Sequence, residues 1–306
     1  DNSYKLRFGT ISTPEGGIII HKRTDADSWE VFAEVNPDDT MGTTFINVTH
    51  DGNILYMSDN RNRNTAVLIT IDLETGEKTV VAENDQADLS HVITNPQTGE
   101  IQAVAFTYKR RAWAILDEDI QTDLDYLSTL ADGELTINSR THDDKQWIVV
   151  YVMDDGPVRY YLYDRDNKQA TFLFVNNAEL EDVALAKMQS AIIQSRDGLN
   201  LVCYYTLPLG SNTKETHKPD APVPLVLLVH GGPWARDNWG YSAFHQWLSN
   251  RGYAVLNVNF RGSTGFGKDF LNAGDGQWGD AMHDDLIDAV DWAIEQGITT
   301  DGQVAI

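Results

Sequence analysis

Basic residues are scarce in this chain: 23 Lys and Arg stand against 46 Asp and Glu in 306 residues, a formal net charge of −23. Polyanion binding requires clustered cations that release counterions, so an electrostatic nucleic-acid binder is excluded and no nucleic-acid partner is expected. Cysteine is nearly absent as well. The one cysteine, Cys203, has no partner for an intrachain disulfide and cannot build a Cys-rich metal site, so it reads as a small core residue. There is no long hydrophobic run. The longest charge-free apolar stretch, Ala221 to Val229, falls far short of the roughly 18 residues of a membrane-spanning helix, and no span is expected. The chain opens on Asp1 rather than Met, without the charged start and apolar run of a signal peptide. The expectation is a chain that was processed or begins mid-gene, located in the cytoplasm.

What is present is enough to fold. Hydrophobic residues make up 42% and aromatics 10%, with eight Trp, which supports packed cores despite the charge. The length suggests about two domains.

The first 185 residues carry a spaced repeat, in which an apolar strand ends in Asp and a polar turn leads into another strand. It appears in HKRTDADSWEVF, LITIDLETGEKTVV, WAILDEDIQTDLDYL and YYLYDRDNKQATFLF, with Asp25, Asp72, Asp117 and Asp164 at intervals of 47, 45 and 47 residues. Thr49-His50-Asp51 recurs as Thr141-His142-Asp143, 92 residues on, which is two such periods. A period in the 40s filled with short strands and turn signals is the pattern of propeller blades. A β-sandwich with coincidental spacing is the alternative, disfavoured because two separate markers keep one period. The expectation is a partial β-propeller over 1–185 with about three and a half blades, fewer than the roughly 4–8 of a closed ring. The acidic pairs Asp25/Asp27, Asp117/Asp119 and Asp164/Asp166 lack the glycine and distal Glu of an EF-hand loop, so they read as turn residues. Neither a metal nor a cofactor is expected. His50, His91 and His142 sit in or near these turns and read as solvated.

From about Ala186 the pattern changes to strand, helix, strand, helix, strand. PVPLVLLVHGGP reads as a buried strand entering a glycine turn. A helix follows at about 242–250, with Phe244, Trp247 and Leu248 on one face, then a strand at 253–260. A longer helix spans about 280–296, with Leu286, Ala289, Val290, Ala293 and Ile294 as its apolar stripe and Asp280 as N-cap. A last strand begins at Gln303. Buried strands alternating with helices imply a doubly wound, largely parallel sheet over 186–306.

The segment that carries chemistry is His230-Gly231-Gly232-Pro233. Paired glycines after a buried parallel strand leave backbone N–H groups free to approach an anionic oxygen, as in the turn after the third strand of α/β-hydrolases. By itself such a turn is also compatible with a plain tight turn. Four segments, SRDGLNLVCYYTLP, VLLVHGGPWARDNWG, LSNRGYAVLNVNFRGSTGFGKDF and QWGDAMHDDLIDAVDWAIEQGI, occur in order across 190–306. Together they resemble the prolyl oligopeptidase family of serine peptidases, particularly its acylaminoacyl-peptidase-like branch.

The resemblance implies an enzyme in which a propeller restricts entry to an α/β-hydrolase domain to short peptides or acylated N-termini, cleaved by Ser-His-Asp acyl transfer. It implies that 186–306 is the N-terminal part of that α/β-hydrolase domain, ending before its nucleophile elbow. It implies the Gly232 backbone N–H as one oxyanion donor, with His230 shaping the turn. It also implies that the loop bearing Arg261, Ser263, Gly265 and Gly267 lies beside the active site and shapes the substrate pocket, although a plain glycine-rich connection fits those residues equally. The family's nucleophile occupies a G-x-S-x-G elbow that no serine here matches. Ser242 follows Gly240 at the right distance but has Phe244 in place of the second glycine, and Ser263 has Arg261 in place of the first. The nucleophile and its Asp and His partners are therefore expected outside this chain, which alone should be inactive. His283 with Asp284 and Asp285 reads as helix surface, since neighbours on a helix point to different faces. An esterase on the same scaffold and a non-catalytic propeller binding protein stay open. Oligomeric state is not legible.

Overall fold

The computed structural model describes residues 4–24, 27–214 and 216–306. Asp25, the first of the four repeat aspartates, lies outside them. The chain divides into two compact units.

The first unit runs through Tyr108 and adds Ala112–Ile120 and Gly265–Asn272. It holds three antiparallel meanders. The first joins β1 (Phe8–Ser12), β2 (Ile18–Arg23) and β3 (Trp29–Val35). The second joins β4 (Thr44–Val48), β5 (Ile54–Asp59), β6 (Val67–Asp72) and β7 (Lys78–Ala82), and the third joins β8 (Leu89–Thr94), β9 (Ile101–Thr107) and β10 (Arg111–Ile115). Each sheet buries one face against the next. Ile20, Val35, Leu55, Met57, Val67, Ile69 and Ile71 form one core, while Leu68, Ala87, Ile101, Val104 and Phe106 form another. Residues 67, 69 and 71 thus serve one core and residue 68 the other, as the two-residue period of a strand dictates. Full burial of one such side chain contributes about 1.5–3 kcal/mol.

The repeat aspartates close turns. Asp72 Oδ1 accepts from the N–H of Glu74 (2.9 Å) and Thr75 (2.7 Å). In WAILDEDIQTDLDYL the structure departs from the strand, turn, strand reading. Asp117 Oδ1 caps a 3₁₀ turn at Glu118–Ile120 by accepting from Asp119 N–H, and a helix α1 (Gln121–Ser128) follows instead of a strand. Ile120, Leu124 and Leu127 are all buried, a helical spacing that the alignment on Asp117 masked.

The second unit comprises Lys109–Arg111, Gln121–Thr264 and Ala273–Ile306. It contains a four-stranded meander of β11 (Glu134–Arg140), β12 (Gln146–Val152), β13 (Arg159–Asp164) and β14 (Gln169–Val175). The guanidinium carbons of Arg140 and Arg165 lie 4.5 and 4.9 Å from the centroid of its Trp147 ring. Trp147 also donates to Asp144 at 2.7 Å.

The same unit carries a five-stranded mixed sheet of β15 (Met188–Gln194), β16 (Asn200–Thr206), β17 (Leu225–Leu228), β18 (Ala254–Val258) and β19 (Val304–Ala305). Its spatial order is β15-β16-β18-β17-β19. The first two strands pair antiparallel, β16 pairs antiparallel with β18, and β17 runs parallel to both β18 and β19. Every residue of β18 is buried, as a central strand covered on both faces requires. The helices are α2 (Ala243–Ser249), the short α3 (Lys268–Asn272, within the first unit) and α4 (Ala281–Glu295).

α2 turns its polar side inward. Phe244 and Trp247 are exposed, whereas His245, Gln246 and Ser249 are buried, the reverse of the face expected from the sequence. Gln246 explains part of this. Its side chain accepts from Ala186 N–H (2.8 Å) and donates to the carbonyls of Ala186 (2.8 Å) and Asp154 (3.1 Å), so its amide is satisfied without water. At the start of α4, Asp280 is the N-cap residue but makes no side-chain capping bond. Its backbone carbonyl accepts from His283 at 2.8 Å instead.

Among the described residues, no helix is long and apolar enough to cross a membrane.

Candidate active-site loop

β17 delivers the chain into His230-Gly231-Gly232-Pro233, and the loop that follows reaches α2. The two glycines differ in what they require. Gly232 sits at φ +132°, and a Cβ there would meet Trp234 N at 2.6 Å, so no other residue fits without strain. A Cβ on Gly231 would meet nothing within 4 Å.

A set of side-chain and backbone interactions pins this loop. The His230 ring stacks on Phe260, with centroids 4.6 Å apart and planes 16° apart. Its Nε2 lies 2.9 Å from Ser263 Oγ, and its Nδ1 lies 2.9 Å from the carbonyl oxygen of Gly231. Thr264 N–H donates to the Ala235 carbonyl at 2.9 Å. Asp237 N–H donates to Oδ1 of the buried Asn259 at 2.8 Å. Asn259 in turn donates through Nδ2 to the carbonyls of Val202 (2.9 Å) and Asp237 (3.2 Å). Burial pushes the Asp237 carboxyl above the usual carboxylate range, because its charged form is poorly solvated there.

The turn 260–264 is the platform beneath the loop. Gly262, at φ +93°, lies so close that a Cβ would be 3.1 Å from Met282 and 3.2 Å from Pro233. Arg261 anchors the platform. Its backbone N–H and Nε both donate to Asp285 Oδ2 at 2.9 Å, and Nη2 donates to Asp285 Oδ1 at 2.7 Å. Nη1 and Nη2 also donate to the Asp197 carboxylate, each at 2.9 Å. These two carboxylates raise the Arg261 guanidinium further above its ordinary value. The bonds from Arg261 and from the Ser195 hydroxyl hold Asp197 down at about 2. Such bidentate pairs are among the stronger hydrogen bonds of proteins.

An apolar cavity of about 320 Å³ opens beside the loop. Its walls include His230, Gly232, Pro233, Phe260, Trp278 and Met282. Trp278 is largely exposed at its rim.

The sequence-derived site residues fall into three places. His230, Gly231, Gly232, Pro233 and Ser263 meet at the loop. Arg261 lies below it with only 8% of its side chain exposed, committed to Asp285 and Asp197. Gly265 and Gly267 belong to the first unit, where the Gly265 carbonyl accepts from Asp88 N–H and Gly267 N–H donates to Asp88 Oδ2, both at 3.1 Å. Sequence reasoning missed Gly262, Phe260, Met282 and above all Asp285. This aspartate is fully buried rather than helix surface. The available signal was its position one residue before Leu286 on the stripe that α4 buries.

The candidate nucleophiles are also placed. Ser242 is the N-cap of α2, accepting from His245 N–H. Ser263 is fully buried and donates to the Phe260 carbonyl at 2.6 Å.

Residues 239–306 match the sequence profile of the prolyl oligopeptidase family. The chain is 48% identical over its whole length to dipeptidyl aminopeptidase BIII of Pseudoxanthomonas mexicana, of which it covers 44%. It is 32% identical to dipeptidyl peptidase family member 6 of Caenorhabditis elegans, again over its whole length and 45% of the relative. Among solved structures, a puromycin-hydrolyzing peptidase of Mycobacterium tuberculosis superposes with a TM-score of 0.70 at 18% identity, covering 96% of this chain and 45% of that one. The chain thus spans a little under half the length of the relatives it matches.

Proposed function

We propose, from the match of residues 239–306 to the prolyl oligopeptidase family and the 48% identity to a dipeptidyl aminopeptidase, that the chain belongs to that family and is part of a serine peptidase that hydrolyses short peptides by Ser-His-Asp acyl transfer. We read 1–185 as a partial β-propeller whose blades are the four meanders. We read 186–306 as the first part of the α/β-hydrolase catalytic domain, in a protein of the cytoplasm.

One observation carries the reading. Counted along the chain, the mixed sheet has its first two strands antiparallel, its third and fourth parallel neighbours, and its fifth parallel on the outer side of the third. The His-Gly-Gly-Pro loop is the connection between the third strand and the helix after it, which is where α/β-hydrolases take one oxyanion donor.

In this reading the Gly232 N–H stabilises the oxyanion formed when the serine attacks the substrate carbonyl. The second donor follows the nucleophile, and the histidine and aspartate move and orient the proton. The backbone at Gly232, open only to glycine, and the ties around the loop support it, because a donor acts on a transition state only if it is already aimed. Arg261 holds the platform of the loop, while Ser263 and Gly262 hold the loop itself. The adjoining apolar cavity offers room for a substrate side chain.

The 48% identity to an enzyme named for releasing dipeptides favours short peptides with a free N-terminus over acylated ones. The test is the full-length protein against a dipeptidyl anilide, an N-acetyl aminoacyl anilide and a simple acyl ester, with and without a fluorophosphonate. The expected result is turnover of the dipeptidyl anilide that the fluorophosphonate abolishes. Ester turnover without anilide turnover would overturn it in favour of an esterase, and no labelling at all would overturn the serine mechanism.

A further inference from the structure

The His230 side chain meets an oxygen at each ring nitrogen: Ser263 Oγ lies 2.9 Å from Nε2, and the Gly231 carbonyl oxygen lies 2.9 Å from Nδ1. Both oxygens can only accept there. A backbone carbonyl has no proton to give. The one proton of the Ser263 hydroxyl is already placed in the 2.6 Å bond to the Phe260 carbonyl, since an O–H···O contact that short holds its proton between the oxygens. Ser263 Oγ therefore receives from His230 Nε2–H. A neutral imidazole carries a single N–H, so with Nε2 donating it turns the bare lone pair of Nδ1 against the lone pairs of the Gly231 oxygen. With both nitrogens protonated, both contacts are hydrogen bonds. The Phe260 ring, stacked on His230 at 4.6 Å and 16°, offers its negative face to the flat side of that cation.

We propose that His230 works as an imidazolium whose Nδ1–H orients and polarises the Gly231–Gly232 peptide, and so strengthens the Gly232 N–H as an oxyanion donor. The Gly231 carbonyl and the Gly232 N–H are opposite ends of one peptide plane, so fixing one aims the other. A charged donor at the carbonyl also draws electron density toward that oxygen, which makes the N–H at the other end a better donor. His230 is thus a positioning residue that acts on substrate through Gly232, and the inference rests on the reading of Gly232 as an oxyanion donor.

The charged groups around the ring suit a cation. On the same loop, the charged form of the Asp237 carboxyl is favoured by both His230 and Arg236, against the burial that raises it. On the turn below, Arg261 is outnumbered by the two carboxylates it binds, Asp285 and Asp197, so that cluster does not repel a second positive charge. On α4, His283 shares the cavity wall with His230 but is exposed to solvent.

The experiment follows the rate of fluorophosphonate labelling of the full-length protein against pH, because this probe reads the serine and its oxyanion donors and brings no amine of its own to titrate. In the wild type the rate should rise as the triad histidine loses its proton and fall again at higher pH as His230 loses the Nδ1 proton. His230→Gln, which keeps a neutral amide, should label about 10-fold more slowly at the wild-type optimum, part of the roughly 10²–10³ that a whole donor is worth, and show no fall at higher pH. A wild type without the fall, or a fall that survives in His230→Gln, would overturn the proposal. A second readout does not depend on activity and decides the matter if His230→Gln does not fold. Nitrogen spectra of ¹⁵N-histidine-labelled full-length protein, with His230→Asn for assignment, should show both ring nitrogens of His230 protonated at neutral pH. One bare nitrogen overturns the imidazolium whether or not the protein is a peptidase. No labelled serine at all, with His230 doubly protonated, overturns the peptidase reading and its oxyanion role and leaves the clamp on Gly231 standing.

Discussion

Replacing Asp285 by Asn tests whether the platform under the His230–Pro233 loop is held by charge. Asp285 is fully buried and receives three hydrogen bonds from Arg261, while Asp197, the other partner, keeps 50% of its side chain exposed. Asn preserves the shape but removes the charge and offers N–H donors where acceptors are needed. The buried Arg261 then keeps only the half-exposed partner. Breaking a buried pair from one side costs about 3–5 kcal/mol, whereas an exposed pair contributes about 0–1 kcal/mol. Asp285→Asn should therefore destabilise by the first amount and Asp197→Asn by the second. At about 2–4 °C of melting temperature per kcal/mol for a unit of 150–250 residues, the Asp285 variant should melt roughly 6–20 °C lower. The assay is chemical and thermal denaturation of both variants of the full-length protein, followed by tryptophan fluorescence. A double replacement, Arg261→Met with Asp285→Leu, should recover part of the loss, because a well-packed apolar pair avoids stranding a charge. Equal, small losses in the two single variants would refute the reasoning.

Three further outcomes follow from the geometry. On the proposed oxyanion role of Gly232, Gly232→Ala keeps the N–H but its Cβ, 2.6 Å from Trp234 N, forces the backbone to shift and misaims it, which should lower kcat/KM of the full-length protein by up to about 10²–10³-fold. Gly231→Ala, where a Cβ meets open space, should fold with wild-type stability, and a destabilised Gly231→Ala variant in a denaturant titration would contradict the account of the loop. His245 is buried with Nδ1 2.8 Å from the Thr206 hydroxyl and Nε2 bonded to Asn257, and burial lowers its pKa to about 4. Its folded value lies below the unfolded value of about 6.5, so the unfolded chain binds the extra proton. The stability it contributes is full above about pH 6.5 and is lost as the pH falls toward 4, and His245→Gln should flatten that part of a pH series of denaturation midpoints.

Much of the architecture was legible because its signals are local. The Thr-His-Asp turns both fold as expected: Thr49 Oγ1 donates to Asp51 at 2.6 Å and Thr141 Oγ1 to Asp143 at 2.6 Å. The same device appears unannounced at Ser195 and Asp197, again at 2.6 Å, where Ser replaces Thr and the repeat no longer applies. The strands at 225–228 and 254–258 carry no charge, the second buried throughout and the first at alternate residues, so composition alone marked them.

What stayed hidden depends on partners far away in sequence. α2 buries His245 and Gln246 because Thr206, Asn257, Ala186 and Asp154 satisfy them, and no periodicity of apolar residues records that. Asp285 is interior because Arg261 lies 24 residues before it. At the loop, the glycine pair was visible, but only the backbone distinguishes Gly232, which tolerates no Cβ, from Gly231, which does. The roles of Phe260, Gly262 and Ser263 arise where a turn is folded beneath a strand end, a juxtaposition set by the sheet order.

The central claim is that the loop at His230–Pro233 serves a serine acyl-transfer site, and fluorophosphonate labelling of the full-length protein, paired with dipeptidyl anilide turnover, tests it most directly. The account predicts one labelled serine per chain, in a position outside 1–306, and loss of turnover in step with labelling. Turnover that persists after complete labelling, or labelling at Ser242 or Ser263, would contradict it.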